Sequence, residues 1–279
     1  MKKYSCFDVI FDNHLAHIIL NRPEKRNSMN TDFWKEFPEI VSNINQEGVA
    51  RVIIISSTGP HFCSGLDLSI FQSDLLEINK EKENKAILLT NYIEILQNAL
   101  NILQDCRIPV ITAIQGACIG GGLDLVCASD VRLGTKNCHF SILETKLGLV
   151  ADIGTFPRLI KLIPDGLVRE LAFTGRNFNS DEAKFSGFLN KVYPDQKSMI
   201  DAAFELGKEI SNNSPTVVYG CKEAIKFSRD HTTAEGLDWI KMWNSAMFNM
   251  KEVEEAFKAK FEKRTGNFDK LPKKITKIN

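Results

Sequence analysis

The amino-acid sequence predicts an α/β fold that ends in a helical C-terminal region. Three observations lead to this prediction. Short runs rich in β-branched residues, each of strand length, alternate with stretches in which apolar residues recur at helical spacing. Glycine-bearing loops follow two of these runs, at the strand ends where open α/β proteins place ligands. From Gln196 onward the spacing is helical alone.

The first elements are predicted to be a β-hairpin and a capped helix. Residues 6–20 split at the turn pair Asp12-Asn13 into two β-rich runs. A loop follows, and Asn30 or Thr31 is expected to cap the helix after it through a side-chain oxygen.

That loop, residues 21–30, carries a small cluster of positive charge. The cluster consists of Arg22, Lys25 and Arg26. Two interpretations are open from the residues alone: a contact to a phosphorylated ligand, or a solvated basic turn.

Two strands are each expected to end in a glycine turn. The run from Arg51 to Ser57 leads to a loop that contains Gly65, and the run from Pro109 to Ile114 leads to the glycines 120–122 before a helical pattern. Glycine turns at a helix start expose backbone N–H groups to a ligand.

If the amides that follow these two strands point at one spot, they form a two-donor oxyanion hole. The amides in question belong to Leu66 and Gly121.

Three acids lie in or after the second glycine turn and are the candidate catalytic residues. They are Asp124 in the first helical turn, Glu144 and Asp152. Carboxyl groups near an oxyanion-binding turn suit proton transfer next to a carbonyl. The alternatives are that Asp124 serves the helix dipole, that Asp152 caps the next helix and that Glu144 is a loop acid.

The middle and the end of the chain are predicted to be mainly scaffold. Residues 69–85 are polar and poorly periodic and are expected to be mobile. The following helix carries an apolar stripe that we assign to the core. Three helical segments are predicted after Gln196: 196–212, 215–229 and 233–263. The last has an apolar stripe at Val253, Phe257 and Phe261, which must cover its own core or a neighbouring subunit.

Composition excludes several classes of function. Lys plus Arg and Asp plus Glu both number 35, so no overall field favours nucleic acid or an anionic membrane. No apolar run reaches membrane-spanning length. The seven cysteines are scattered without a CxxC pair, so neither a metal site nor a disulfide framework is expected. With no leader pattern at the N-terminus, these features predict a cytoplasmic protein.

Four ordered motifs resemble the crotonase, or enoyl-CoA hydratase/isomerase, superfamily. They are LNRPEKRNSMN, HFCSGLDL, IPVITAIQGACIGGGLDLVCASDVR and ETKLGLVADIGTFPRL. The resemblance spans about residues 10–195 and implies a crotonase-like core of repeated ββα spiral turns. It also implies a division into a core domain, 1–195, and a helical trimerisation region, 196–279, with assembly as a homotrimer or homohexamer.

The resemblance also implies an acyl-CoA thioester substrate and no separate cofactor, since coenzyme A is part of the substrate. The oxyanion donors map onto Leu66 and Gly121, and the cations Arg22, Lys25 and Arg26 fall where the family meets the CoA nucleotide. The acyl-CoA path is expected along Ser64, Gly65, Asp67 and Leu68, although Asp67 also suits a role in holding its loop by turn hydrogen bonds.

The three acids distinguish members of this superfamily. Enoyl-CoA hydratases carry a glutamate where this chain has Asp124, another matching Glu144, and a small residue where this chain has Asp152. The present combination resembles the Δ3,5-Δ2,4-dienoyl-CoA isomerase subgroup, which acts in fatty-acid β-oxidation. It implies that Glu144 serves C2 and that Asp152, deeper in an apolar pocket, serves C6.

Two alternatives remain from the sequence. One is an enoyl-CoA hydratase or Δ3-Δ2-enoyl-CoA isomerase, which shares the frame but does not need Asp152. The other is a non-catalytic homologue of the scaffold that binds acyl-CoA or RNA. The balanced charge of the chain argues against RNA binding.

Overall fold

The fold is built on two β-sheets with helices around them. A computed structural model describes residues 2–275, without the side chains of Phe71 and Asp74. Within that range the strands are β1 Phe7–Asp12, β2 Leu15–Leu20, β3 Val52–Ser57, β4 Val110–Ile114, β5 Ala117–Ile119, β6 Val131–Thr135, β7 His139–Ser141, β8 Phe178–Asn179 and β9 Lys191–Tyr193.

Helices connect and cover these strands. They are α1 Thr31–Glu47, α2 Leu68–Gln72, α3 Asp74–Lys80, α4 Lys85–Asp105, α5 Gly121–Cys127, α6 Thr155–Leu159, α7 Asp165–Thr174, α8 Ser180–Phe185, α9 Gln196–Ser211, α10 Pro215–Asp230, α11 Thr233–Met247 and α12 Met250–Phe261. Single 3-10 turns lie at Pro23–Lys25 and Leu143–Leu147.

The large sheet has the strand order β1-β2-β3-β4-β6-β9, and the small sheet has the order β5-β7-β8. In the large sheet β1 and β2 pair antiparallel and the remaining neighbours pair parallel. Successive ββα turns place one strand in each sheet, since β4 pairs with β6 while β5 pairs with β7. This arrangement gives the expected spiral.

Strand β3 shows why an unbroken apolar run forms most of its sequence, from Val52 to Ile55. All six of its residues are buried, and alternate side chains face opposite sides of the sheet. Ile53 faces the main core, while Val52 and Ile54 pack with Met199 and Ala203 of α9. A strand covered on both faces buries side chains on both sides, which favours an unbroken apolar run over an alternating pattern.

The N-terminal predictions are confirmed. Residues 7–20 form an antiparallel hairpin, with Asn13 at the turn in the left-handed region (φ 53°). Asn30 caps α1, because its Oδ1 accepts from the Phe33 amide at 3.0 Å.

One prediction about the scaffold is wrong and another stays a prediction. The segment 69–85 contains α3 and most of α2, and its expected mobility stays a prediction. The predicted helix 233–263 is broken after Met247, and Asn249 caps a new helix by accepting from the Lys251 amide at 3.1 Å. A capping asparagine inside a helical pattern was the signal for this break. The division of the chain at residue 195 stays a prediction, although α9 packs directly on the large sheet.

Candidate active site

Two glycine turns face each other where the large sheet meets the small one. A Cβ atom placed on Gly65 would lie 3.2 Å from the Gly121 nitrogen, and one on Gly121 would lie 3.8 Å from the Leu66 nitrogen. Gly65 and Gly120 have positive φ, at 84° and 53°, which favours glycine. Within the described residues, neither the Leu66 nor the Gly121 amide donates to a protein acceptor. The structure therefore brings the two predicted donors together, and both are free.

Each of these two amides is oriented by a hydrogen bond to the carbonyl of its own peptide group. The Met29 amide donates to the Gly65 carbonyl at 2.9 Å, and the Leu123 amide donates to the Gly120 carbonyl at 2.8 Å. Because a peptide unit is planar, holding its carbonyl also sets the direction of the N–H that follows. Both donors are thus oriented before any ligand binds.

Asp124 is buried at the first turn of α5, behind the glycine turn. Its Oδ1 accepts from the Thr155 amide at 2.5 Å and from the Thr155 hydroxyl at 2.7 Å. Desolvation raises the pKa of Asp124 to about 7; the bonds from Thr155 lower it, and the nearby charge of Glu144 raises it. The carboxyl is therefore poised between its two protonation states near neutral pH.

Glu144 lies on the 3-10 turn after β7 and approaches the glycine turn directly. A Cβ atom on Gly120 would lie 3.1 Å from Glu144 Oε1. Glu144 Oε2 is buried and has no hydrogen-bond partner among the described residues. Burial raises the pKa of Glu144, and the charge of Asp152 adds to the rise. An orphaned carboxyl oxygen beside two free amides fits a group that transfers a proton to or from a bound ligand.

Asp152 lies on the loop before α6, and its position corrects the sequence analysis. We expected it deep in an apolar pocket, but the residue is exposed in the single chain. Exposed aliphatic side chains precede it: Leu147, Leu149 and Val150. The neighbours Ala151 and Ile153 are buried, so the exposure in this loop is that of Asp152 itself and of the aliphatic residues before it. Even so, partial burial raises the pKa of Asp152, and its charge acts on Glu144.

Of the three cations on the basic loop, Arg22 is bound within the protein, and Lys25 and Arg26 are exposed. Arg22 donates to the Ser28 carbonyl at 2.7 Å and forms an ion pair with Asp67 at 3.4 Å. Lys25 and Arg26 are exposed, and neither forms an ion pair within the described residues. Only these two cations are therefore free to meet a ligand phosphate, and the geometry does not support Arg22 as a third.

The segment 64–68 follows the first glycine turn. Ser64 is half-buried and donates its amide to the Arg26 carbonyl at 3.0 Å. Asp67 caps α2 by accepting from the Ser69 amide at 3.1 Å, which agrees with a role in holding its loop. Leu68 is 72 % exposed, an apolar side chain beside the free amides.

His61 and Cys63 connect the first glycine loop to β5 and the residues before it. His61 Nδ1 accepts from the Ala117 amide at 3.2 Å, and desolvation, with smaller effects of Arg26 and His139, lowers its pKa. Cys63 is fully buried, and its backbone forms an isolated parallel β-bridge with that of Cys118, which joins the first glycine loop to β5.

Sequence reasoning missed three residues that hold the site together. Thr155 binds Asp124, Met29 orients the Leu66 amide, and Gln97 Nε2 donates to the Asp152 carbonyl at 2.6 Å. Each contact joins residues more than 30 positions apart in sequence, so no local pattern marks it. The one usable signal was Thr155, a helix-start residue close to the acids.

Within residues 2–275, none of the helices combines the length and the apolar character that crossing a membrane requires. Nor do His, Cys, Asp and Glu side chains in that range gather into a group of three that could hold a metal ion.

Comparisons with known proteins agree with the geometry. The sequence model of the enoyl-CoA hydratase/isomerase family matches residues 11–271. The chain is 40 % identical over 253 residues to the mitochondrial Δ3,5-Δ2,4-dienoyl-CoA isomerase of Rattus norvegicus, covering 90 % of this chain and 77 % of the relative. It is 37 % identical to the peroxisomal Δ3,5-Δ2,4-dienoyl-CoA isomerase of Arabidopsis thaliana, covering 97 % and 99 %.

A solved structure gives the same result for the fold. The enoyl-CoA hydratase from Bacillus anthracis superposes with a TM-score of 0.86 at 28 % identity, covering 95 % of this chain and 99 % of that one. The crotonase fold expected from the four motifs is confirmed.

The expected cytoplasmic location is wrong. The relatives at 37–40 % identity are mitochondrial in the rat and peroxisomal in Arabidopsis. Scattered reduced cysteines argue against an oxidising compartment, but they do not distinguish among the reducing ones.

Proposed function

This chain belongs to the enoyl-CoA hydratase/isomerase family, and we propose that it converts 3,5-dienoyl-CoA into the conjugated 2,4-dienoyl-CoA in fatty-acid β-oxidation. The observation that carries the proposal is the Glu144 carboxyl beside two free amides, with Asp124 and Asp152 close enough for their charges to interact with that of Glu144. The identity of 37–40 % to dienoyl-CoA isomerases over most of the chain supports it.

The substrate is an acyl-CoA thioester, and its two ends meet different parts of the site. Lys25 and Arg26 are exposed on the basic loop, and their charges attract the CoA phosphates. The Arg26 carbonyl bonds to the Ser64 amide, so the basic loop adjoins the segment that leads to the free amides. The thioester carbonyl lies against the Leu66 and Gly121 amides. Coenzyme A comes with the substrate, and the reaction needs no other cofactor.

Removal of a proton from C2 of the substrate places negative charge on the thioester oxygen. A preorganised N–H donor at such an oxygen contributes about 3–4 kcal/mol to the stability of the transition state. The Leu66 and Gly121 amides supply two of them. Conjugation spreads the dienolate charge as far as C6, where the second proton transfer takes place.

Two acids carry the protons, because C2 and C6 are too far apart for one. Glu144 removes the C2 proton, since its carboxyl touches the glycine turn that holds the carbonyl. Asp152 delivers a proton to C6, so that one proton leaves and one arrives while both double bonds move. Burial raises the pKa of both acids, and their charges interact. One can therefore be protonated while the other is ionised.

Asp124 acts as a supporting group. It is held by Thr155, and its charge couples to that of Glu144. An uncharged Asp124 leaves Glu144 easier to ionise, whereas an ionised one favours a protonated Glu144.

Enoyl-CoA hydratase is the second candidate function. The structural similarity to the Bacillus anthracis hydratase favours it. Asp152 argues against it, because a carboxyl at that position has no role in holding a single water. Exposed aliphatic side chains around Asp152 also suit an acyl chain better than a water site.

We propose further that the chain assembles as a homotrimer or homohexamer. Large apolar side chains of α11 and α12 are exposed, among them Leu237, Met242, Phe257 and Phe261. Apolar surface of this kind marks an interaction site. Sedimentation at micromolar concentration tests the assembly: a single species of monomer mass contradicts it.

The function is tested by incubation with 3,5-octadienoyl-CoA and, separately, with crotonyl-CoA. We expect the first to give the 2,4 product, seen as the growth of its ultraviolet absorbance, and the second to be hydrated slowly or not at all. Rapid hydration with no isomerisation makes the protein a hydratase. Binding of both thioesters without turnover makes it a non-catalytic homologue.

A further inference from the structure

We propose that Asp67, held by Arg22, is a positioning residue that fixes the direction of the Leu66 amide and so shapes the oxyanion hole. The proposal rests on the proposed function, in which this amide binds a thioester oxygen. It gives Arg22 a role other than contact with coenzyme A.

The backbone on both sides of the Leu66 amide is fastened to one residue. The Met29 amide donates to the Gly65 carbonyl at 2.9 Å, and the Asp67 amide donates to the Met29 carbonyl at 3.0 Å. The Met29 side chain is fully buried, and its Sδ would lie 2.9 Å from a Cβ on Gly121. Met29 thus touches both halves of the oxyanion hole, and any shift of Met29 turns the Gly65–Leu66 peptide plane.

The Asp67 carboxylate is what holds the Met29 segment in place. Asp67 Oδ2 accepts from the Ser28 hydroxyl at 2.7 Å, next to Met29 in sequence. Asp67 Oδ1 accepts from the Ser69 amide and hydroxyl, at 3.1 and 2.8 Å, which fixes the other side of the carboxylate to the start of α2. The carboxylate therefore joins the segment before the oxyanion hole to the one after it.

Arg22 completes the network from the basic loop. Its Nη1 donates to the Ser28 carbonyl at 2.7 Å, and both Nη1 and Nη2 lie 3.4 Å from Asp67 Oδ2. The Arg22 and Asp67 side chains are only 17 % and 18 % exposed. Removal of one partner leaves the other charge partly buried and uncompensated, so the loops must rearrange.

The ionisation of Asp67 is secure under working conditions. Desolvation would raise its pKa, but the bonds from Ser28 and Ser69 and the charge of Arg22 outweigh it and hold the pKa at about 2. A change of pH near neutrality therefore does not loosen the network.

The test measures the polarisation of a bound carbonyl as well as the rate. Carbonyl-labelled 2,4-octadienoyl-CoA, the product, is bound to the wild type and to Asp67→Asn, and the C=O stretch is recorded by infrared difference spectroscopy. We expect the wild type to lower the stretching frequency and Asp67→Asn to lose much of that shift. The kcat of Asp67→Asn should fall about tenfold to a hundredfold, with a smaller change in KM.

Two further variants separate the network from its alternatives. Arg22→Ala should resemble Asp67→Asn, and the double variant should be little worse than either, because both act on one network. If Arg22 instead bound coenzyme A, Arg22→Ala would raise KM and leave the carbonyl shift intact, which would overturn the proposal. Ser28→Ala removes one bond without a change in charge, so it serves where Asp67→Asn fails to fold.

The control is Asp201→Asn, which breaks an exposed ion pair on α9 and should change neither quantity. Wild-type protein that polarises the carbonyl but does not isomerise the substrate refutes the proposed function and leaves the positioning role testable by spectroscopy. Unchanged frequency and unchanged kcat in both Asp67→Asn and Ser28→Ala refute the positioning role.

Discussion

Asp124 accepts two hydrogen bonds from Thr155 through one oxygen, from the amide at 2.5 Å and from the hydroxyl at 2.7 Å. This contact ties the helix behind the glycine turn to the helix after the Asp152 loop. It does not suffice to keep the carboxyl ionised, since desolvation still raises the pKa of Asp124 to about 7. The residue therefore links the protonation of the site to the stability of the fold.

Asp124→Asn should become more stable relative to the wild type as the pH rises. Between 3.8 and about 7 the folded wild type holds a proton that the unfolded chain has lost, so its free energy of unfolding falls with rising pH across this window. Asparagine has no such cost, and its oxygen can accept both Thr155 bonds. At about 1.4 kcal/mol per pH unit, the gain can reach a few kcal/mol.

Urea unfolding at pH 5 and pH 8 measures this difference, with Asp201→Asn as the exposed control. An equal difference between Asp124→Asn and wild type at both pH values contradicts the account.

In a pH–rate profile, the turnover of dienoyl-CoA should fall on the acid side with an apparent pKa above that of an ordinary glutamate. Glu144 must be ionised to remove the C2 proton, and burial together with the charge of Asp152 raises its pKa above 4.5. The rate constant kcat/KM should therefore fall as the pH is lowered through that raised pKa. A pH–rate profile from pH 4 to 9 checks this, and a rate constant that stays flat down to pH 4.5 argues against Glu144 as the base.

Gly65→Ala and Gly120→Ala should each lose most of the activity. A Cβ on Gly65 would lie 2.9 Å from the Ile119 carbonyl oxygen, and one on Gly120 would lie 3.1 Å from Glu144 Oε1; both glycines also have positive φ. Each change displaces an amide donor or the acid, and loss of one oxyanion donor costs about a hundredfold or more.

Gly166→Ala on α7 is the matched control, because a Cβ there meets nothing within 4 Å. Steady-state kinetics on the three variants, with circular dichroism to confirm folding, decides the matter. Near-wild-type kcat in Gly65→Ala would remove the first glycine turn from the mechanism.

Lys25→Gln and Arg26→Gln should weaken the binding of acyl-CoA without slowing the chemistry. Both side chains are exposed, so their attraction to phosphate is screened by salt. We expect KM to rise a few-fold at low ionic strength and less at high salt, with kcat unchanged. The corresponding pantetheine thioester lacks the nucleotide phosphates and should show no difference. Lys197→Gln, on an exposed ion pair of α9, is the control.

Local patterns predicted the parts of the fold that depend on neighbours in sequence. The apolar run of β3, the turn at Asn13 and the cap at Asn30 each carry their physical cause within a few residues. The break at Asn249 was missed because its flanks have the same helical spacing.

The candidate site was only partly predictable, because its geometry depends on distant contacts. The glycine turns and the acids were visible in the sequence. What brings the two turns together was not, because it depends on backbone β-bridges between Met29 and Leu66 and between Cys63 and Cys118. The inward pairing of Arg22 depends on Asp67, 45 residues away. The exposure of Asp152 could not be foreseen, since nothing in its own segment says what covers it.

The central claim is that Glu144 and Asp152 act at opposite ends of one dienolate. Its most direct test is deuterium exchange into 3,5-octadienoyl-CoA in D2O, with the recovered substrate analysed by NMR and corrected for exchange without protein. Asp152→Asn should incorporate deuterium at C2 and form no 2,4 product, whereas Glu144→Gln should do neither. Product formation by Asp152→Asn at the wild-type rate, or exchange at C2 by Glu144→Gln, would contradict the claim.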